Sequence, residues 1–260
     1  MNREETLNYI NNHGILPESK FGQNFLCDEQ IIEDIVELTN AEEGDKILEI
    51  GPGIGALTHV LADKGVNVTA VEIDKRLAQY LTEDGFNIIT ADYIKLKDYN
   101  ADSYEYAVSN IPYYVMTPIM IKLITDLRNC KKFTFMVEDD AIDRINAQPS
   151  TKQYGPLAVL CSCYGTFCRE FTVPSSSFVP PPHTVSAVIT LTKSNTGFII
   201  DKGFTDFVTR SFMNRRKKMT NTVPEAKEAL IQLGIDPSIR SEALTPAQFM
   251  DIYAIIRQTL

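Results

Sequence analysis

Between residues 46 and 138 the chain alternates short apolar runs with stretches whose apolar residues recur every three or four positions. The runs Lys46–Ile50, Asn67–Glu72, Phe86–Thr90, Tyr106–Ser109 and Lys132–Val137 have the length and residue types of buried strands. Leu57–Asp63, Leu77–Leu81 and Pro118–Leu127 lie between them with helical spacing. This alternation predicts a parallel sheet covered by helices on both faces. Two further helices, about Glu4–Asn12 and Glu29–Leu38, are predicted ahead of the first strand. After Val137 the pattern predicts a helix at Ala141–Ala147 and an apolar helix at Pro156–Tyr164. A strand at Cys168–Val173, a Pro- and Ser-dense loop at Pro174–Pro182 and a strand at Ser186–Thr192 follow. Lys193–Gly197 reads as a linker, and only helical patterns remain beyond it. Phe204, Phe207, Val208 and Phe212 share one helical face, followed by Ala226–Leu233 and Ala247–Ile256. The expected organisation is therefore an α/β domain over residues 1–193 and a small all-α domain over residues 194–260.

A chain of 260 residues that is 44% hydrophobic can bury a full core. No apolar run approaches the roughly 20 residues of a membrane span. The polar start Met1-Asn2-Arg3-Glu4-Glu5 lacks the apolar centre of a secretion signal, so a cytoplasmic location without membrane contact is expected. Five cysteines, an odd number, suit reduced thiols. The spacing of Cys161, Cys163 and Cys168 fits no paired zinc knuckle, and Leu157, Val159 and Leu160 mark that segment as buried helix, so no metal is expected. The net charge of −9 argues against a general nucleic-acid binder. It is unevenly placed: residues 1–193 carry −11 and residues 194–260 carry +2, with Arg210 and Arg215-Arg216-Lys217-Lys218 clustered. Such a run is ordinarily a solvated helix end, and it gains meaning only beside an independently supported RNA substrate.

Gly51, Gly53 and Gly55 follow an apolar strand and precede a helix, a context in which missing side chains let the backbone approach a ligand. Glu72 ends the next strand about 20 residues on, where a carboxylate accepts from ribose hydroxyls. Asp92 ends the third, placed to accept from an adenine amine. A nicotinamide dinucleotide fingerprint is spaced G-x-G-x-x-G around a pyrophosphate. Here the spacing is G-x-G-x-G with Pro52 inserted, which better suits S-adenosyl-L-methionine, a cofactor without phosphate. Asn110-Ile111-Pro112-Tyr113 describes a holder for an amine on an aromatic ring. The Asn110 carboxamide accepts one hydrogen, and the Ile111 carbonyl, turned outward before Pro112, accepts the other. Tyr113 stacks on the ring, and Phe178 is the candidate for the opposite face, with a core anchor as its equal alternative. Both stretches together point to methyl transfer to a base amine, on a base flipped out or unpaired. None of His13, His59 and His183 has a base-like placement.

These motifs resemble those of the ribosomal RNA adenine N6,N6-dimethyltransferase family, in particular its KsgA-type branch. The likeness runs over nearly the whole chain, from Lys20-Phe21-Gly22-Gln23-Asn24-Phe25-Leu26 to the last helices. It includes Glu49–Thr58, Val71–Asp74, Asn110–Tyr113, Lys152–Leu157, Phe178–Pro182, Arg215-Arg216-Lys217 and Arg240–Leu244. The resemblance implies a Rossmann-like seven-stranded methyltransferase sheet with a small helical C-terminal domain. It implies S-adenosyl-L-methionine contacts from Asn24, Leu26, Gly51, Glu72, Asp92 and Asn110, with Gln23, Gly53, Gly55 and Ile73 in the same segments. It further implies N6,N6-dimethyladenosine as product, at two adjacent adenosines of small-subunit (16S) ribosomal RNA or a pre-30S particle, and a monomeric enzyme acting in ribosome biogenesis. Arg210, Arg215, Arg216, Lys217 and Lys218 are then the phosphate-gripping residues. The related Erm branch, which acts on large-subunit RNA and confers macrolide resistance, and a non-catalytic ribosome-assembly factor on the same fold are the alternatives. The chain departs from the branch at Glu138-Asp139-Asp140, at Tyr114–Thr117 and at His183–Ser186.

Overall fold

Reciprocal capping sets the start of the first helix, α1 (Arg3–Asn12): Asn2 accepts from the Glu5 amide while the Glu5 carboxylate accepts from the Asn2 amide. The computed structural model describes residues 1–18, 22–195 and 197–259, without the side chains of Tyr113 and Thr259. After α1 come β1 (Phe25–Leu26) and α2 (Glu29–Thr39), the latter capped by Asp28. The alternating region then gives β2 (Lys46–Ile50), α3 (Ala56–Asp63), β3 (Asn67–Glu72), α4 (Lys75–Glu83), β4 (Asn87–Thr90), β5 (Tyr106–Asn110), α5 (Met116–Asp126) and β6 (Lys132–Glu138). The remainder is α6 (Ile142–Ile145), α7 (Pro156–Tyr164), β7 (Gly165–Val173), β8 (Phe178–Val179), β9 (Ser186–Lys193), α8 (Lys202–Ser211), α9 (Ala226–Gln232) and α10 (Pro246–Thr259).

Seven strands form one sheet in the order β4-β3-β2-β5-β6-β9-β7. The first five are mutually parallel, as the alternation predicts, and β9 runs antiparallel to β6, pairing Glu138 with Ser186. The sheet is therefore mixed. A parallel neighbour needs a crossover of a dozen or more residues, usually helical, whereas the Pro- and Ser-rich stretch between β7 and β9 contains no α-helix. Chain order moves outward from β2 in both directions, through β3 and β4 on one side and β5 and β6 on the other. That reversal lies between β2 and β5, and a crevice opens beyond their carboxyl ends, where ligands of such sheets bind.

Ile47, Val108, Met136 and Val188 from the sheet pack with Ile32, Ile35 and Val36 of α2 and Leu57 and Leu61 of α3 in one apolar cluster. A second small sheet pairs β1 antiparallel with β8, and β8 lies within the stretch Pro174–Pro182 that pattern alone assigns to loop. Strands of two residues carry no readable periodicity, and their pairing partners are about 150 residues apart.

Backbone proximity divides the chain into two compact units. One comprises Met1–Ile119, Asn129–Asp140 and Cys168–Thr192; the other comprises Met120–Arg128, Ala141–Phe167 and Lys193–Leu260. The last passage into the second unit coincides with the expected linker, but residues 120–128 and 141–167 also belong to it. The reason is α7, whose Leu157, Ala158, Val159, Leu160, Cys161, Cys163 and Tyr164 are all buried. A helix apolar on every side needs cover from all directions, and α8 and α10 supply part of it. Burial also pushes the Cys161 and Cys163 thiols up to about 12, so both stay protonated. Inside this unit Phe204, Phe207, Phe249 and Tyr253 form a ring cluster, which places the shared face of α8 inward as its spacing predicts.

Candidate active site at the carboxyl edge of the sheet

The turn after β2 is built from three residues with positive φ: Gly51 (71°), Gly53 (61°) and Gly55 (84°). Two of them also face close neighbours. A Cβ on Gly55 would stand 2.7 Å from Leu81, and one on Gly53 would stand 3.2 Å from the Phe25 ring, whereas one on Gly51 would meet nothing within 4 Å. Gly55 is thus a packing glycine at the start of α3, and Gly51 borders open space. The cavity beside this turn is lined from four directions: Gly22–Leu26, Glu49 with Gly51–Ile54, Glu72 with Ile73, and Asn110 with Pro112. Gln23, Asn24, Leu26, Gly51, Gly53, Glu72, Ile73, Asn110 and Pro112 are brought together there. Gly55, Asp92 and Ile111 stand apart from the wall, and the Asp92 carboxylate accepts from the Ile94 amide and pairs with Lys95.

Glu72 accepts from the Gly53 amide at 3.1 Å and the Asp74 amide at 2.8 Å. It is almost fully buried, and burial pushes its carboxyl up to about 7 against the pull of those amides. Asp74 is shifted the other way: burial opposes it, but bonds from Arg76 and Gln23 hold it down at about 2. Glu49 is a cavity residue to which the sequence motifs assign no role. Its side chain is buried in β2, accepts the Thr58 hydroxyl at 2.7 Å and lines the cavity. Burial, with a contribution from the Glu72 charge, raises it to about 7. The available signal was a charged residue inside the apolar run Lys-Ile-Leu-Glu-Ile, immediately before the glycines.

Both raised carboxyls bind protons more tightly in the folded than in the unfolded chain, where the ordinary value is 4.5. Their contribution to stability is complete below 4.5 and is lost as pH rises through about 7. Glu49→Gln keeps an acceptor for Thr58 and removes the buried charge. We expect it to stabilise the ligand-free protein by on the order of 1–3 kcal/mol at pH 8 and by almost nothing at pH 4, measured by urea unfolding across that range.

At the end of β5, Ser109 donates to the Ile50 carbonyl at 2.7 Å, tying the Asn110–Tyr113 stretch to the glycine turn. The Asn110 amide nitrogen donates to the Asn24 carbonyl at 3.4 Å, which leaves its oxygen as an acceptor toward the cavity. The Ile111 amide is bound to Met136, while its carbonyl has no hydrogen-bond partner among the described residues. The Tyr113 side chain lies outside the described residues, as do Lys20 and Phe21. Phe178 is 1% exposed and belongs to the apolar cluster that holds Leu26 and Leu57. Its ring therefore offers no open face; of its two expected roles the packing shows the core anchor. Arg3 of α1 donates to the carbonyls of Ser176 and Phe178 and holds that loop from outside.

The acidic departure at Glu138–Asp140 is partly neutralised, since Asp139 accepts from both Nε and a terminal nitrogen of Arg169. In the second unit Arg210 pairs with Glu225. Arg215 pairs with Glu242 and donates to the Thr151 and Lys152 carbonyls. Arg216, Lys217 and Lys218 are exposed and form no ion pair among the described residues, although Lys218 lies near enough to Asp236 to help lower it. Among the described residues no group of three or more His, Cys, Asp or Glu could hold a metal, and no helix is long and apolar enough to cross a membrane.

An open α/β sheet with an antiparallel strand near one edge, a glycine turn after its first parallel strand and an acid ending the second defines a Rossmann-like methyltransferase. A family model described as ribosomal RNA adenine dimethylase matches residues 17–258, and the chain belongs to that family. Ribosomal RNA small subunit methyltransferase A of Shouchella clausii is 36% identical over 276 residues, covering 96% of this chain and 93% of its own. The protein of the same name from Streptococcus equi subsp. zooepidemicus is 34% identical, with 96% and 95% covered. Among solved structures, a dimethyladenosine transferase from Plasmodium falciparum matches with a TM-score of 0.69 at 20% identity, covering 90% of this chain and 98% of that one. The 23S rRNA methyltransferase ErmE matches at 0.60 and 22%, covering 90% and 100%. At those identities the two structures show the shared fold.

Proposed function

We propose that the protein transfers methyl groups from S-adenosyl-L-methionine to the exocyclic amines of two adjacent adenosines in small-subunit ribosomal RNA, giving N6,N6-dimethyladenosine during ribosome biogenesis. We place it in the cytoplasm as a monomer acting on the RNA or a pre-30S particle. The observation that carries this reading is the Asn110 side chain in the cavity wall, followed directly by Ile111 in sequence. The Asn110 oxygen is oriented by the Asn24 carbonyl, and the Ile111 carbonyl has no hydrogen-bond partner among the described residues. Names of the relatives at 34–36% identity support the small subunit as the substrate.

The cavity suits the cofactor in kind. A buried carboxylate at Glu72 matches ribose hydroxyls, the Ile73 and Leu77 side chains give apolar cover, and Gly51 leaves room where a side chain would intrude. Gln23, Asn24, Leu26, Gly53 and Asn110 complete the holding set, with Asp92 reserved for the adenine amine. When bound, the cofactor supplies an electrophilic methyl group. An adenine amine is a poor nucleophile because its lone pair is delocalised into the ring. Capture of both amine hydrogens by the Asn110 oxygen and the Ile111 carbonyl draws the nitrogen toward a pyramidal form and frees that lone pair. Tyr113 stacks the base, and positioning with electrostatics carries most of the rate.

The helical segment 194–260 contacts RNA through Arg216, Lys217 and Lys218, while Arg215 organises the loop that presents them. Arg216→Ala and Lys217→Ala are each expected to flatten the salt dependence of RNA binding by about one counterion without changing the melting temperature. Arg215→Ala is expected to lower stability by about 1–2 kcal/mol, because it leaves Glu242 and two carbonyls without their donor. Filter binding across a salt series, together with thermal unfolding, separates the two behaviours.

Reverse transcription across both ribosomal RNAs, after incubation with protein and cofactor, tests the proposal. Dimethylation blocks Watson–Crick pairing, so two consecutive stops in the small-subunit RNA are expected. Stops confined to the large-subunit RNA would overturn the substrate, and no stop in either, with cofactor bound, would indicate a scaffold.

A further inference from the structure

Tyr114 is 63% exposed although it directly follows the amine-holding stretch. Scattered surface apolar residues are ordinary, but an open aromatic ring at the mouth of a ligand cavity is informative. The residue sits in the helical turn Tyr113–Val115 that follows β5. Its ring edge lies beside Gly22, where a built Cβ would be 3.5 Å from Tyr114 Cε1 and 3.2 Å from Pro112 Cβ. Gly22 and Pro112 line the cavity, whereas Tyr114 does not. The ring is thus backed by the cavity rim and open to solvent.

Two other exposed apolar side chains sit on the same edge of the sheet, Ile73 after β3 and Ile94 after β4. Ile73 directly follows Glu72 and Ile94 lies two residues after Asp92, the two cofactor-side acids, and Ile73 lines the cavity itself. Tyr114 alone of the three follows the strand that ends in Asn110. Asp92 adds to burial in raising the Tyr114 hydroxyl, so the ring stays neutral at physiological pH. A neutral, solvent-facing ring outside the cofactor cavity and one turn from the amine holder is positioned for what arrives from solvent, which is the polynucleotide.

Extruding one adenosine breaks its stacking with the nucleotide beside it and leaves that neighbour with a bare face. Aromatic side chains replace such stacking for any base, because every base has a π-face. We propose that Tyr114 stacks on the nucleobase adjacent to the extruded adenosine, an outer platform separate from the pocket for the target base. This rests on the RNA reading above and adds a substrate-contacting residue to it.

The test uses the full chain and a small-subunit RNA fragment that the wild-type protein methylates. If the wild type methylates no such RNA, the reading of function fails, separately from this one. Tyr114→Ala is expected to raise the KM for RNA by roughly 10- to 100-fold with a smaller change in kcat. Tyr114→Phe, which keeps the ring, should stay within about threefold of wild type, and S-adenosylhomocysteine binding should be equal in all three proteins. With 2-aminopurine placed beside the target adenosine, the complex of Tyr114→Ala should fluoresce more brightly than the wild-type complex, whose ring quenches it. An unchanged KM and unchanged fluorescence in Tyr114→Ala would overturn the proposal. So would a weakened hold on S-adenosylhomocysteine, which would make the ring a cover for the cofactor instead.

Discussion

Asn110→Ala should lower the single-turnover rate of methyl transfer about a hundred- to a thousandfold, the usual effect of removing one preorganised polar group at a reacting centre. The side chain does two things that alanine cannot. In the proposed reaction its oxygen takes one amine hydrogen, and its nitrogen holds that oxygen in place through the Asn24 carbonyl. The proposed second acceptor, the Ile111 carbonyl, is backbone and survives the substitution, so the loss is partial in free energy though large in rate. At 3.4 Å the bond to Asn24 is long, and its removal should cost less than about 1 kcal/mol of stability. Rapid-quench measurement at saturating RNA and cofactor, beside a thermal unfolding curve, checks both halves. A variant that keeps its rate would show that the amine is activated elsewhere.

Glu72→Gln should weaken S-adenosylhomocysteine binding about 10- to 150-fold, the equivalent of losing one hydrogen bond to a charged acceptor. Glutamine keeps the length but has one acceptor oxygen, and its amide nitrogen must then face either the Gly53 or the Asp74 amide, a donor against a donor. The same carboxyl should make wild-type affinity depend on pH. In the proposed complex ribose hydroxyls donate to the ionised form and so lower its pKa, which means that binding would release a proton. Affinity therefore rises with pH up to the free value of about 7 and levels off above it. Calorimetric titrations between pH 5.5 and 8.5 should show that slope for the wild type and none for Glu72→Gln.

Much of this site could be read from residue order, because its parts lie at strand ends. Period and glycine spacing placed β2, β3 and β5 within a residue of their observed limits, and with them Gly51, Glu72 and Asn110. Tertiary packing decided the rest. Phe178 is aromatic whether its ring faces a base or Leu57, and only the assembled core distinguishes the two. Arg215 reads as one of four consecutive cations, yet its guanidinium is held by Glu242 and two carbonyls, contacts no local pattern announces. Glu49 looks like a surface acid until β3 and β5 close on either side of β2. The inclusion of α7 in the second unit follows from its all-round apolarity, which shows that cover is needed but not which helices provide it.

The pairing of Phe25 with Val179 and of Leu26 with Phe178 also fixes when a newly made chain becomes competent. The wall segment Phe25–Leu26 leaves the ribosome about 150 residues ahead of the strand that registers it. At ordinary translation speeds that interval is about 10–30 s. Closing so long a loop is entropically unfavourable until the sheet between its ends has formed. The nascent chain therefore passes through a period with its glycine turn made and its front wall adrift. On the proposed function, methyl-donor affinity waits for Phe178 and Val179 to emerge and pair.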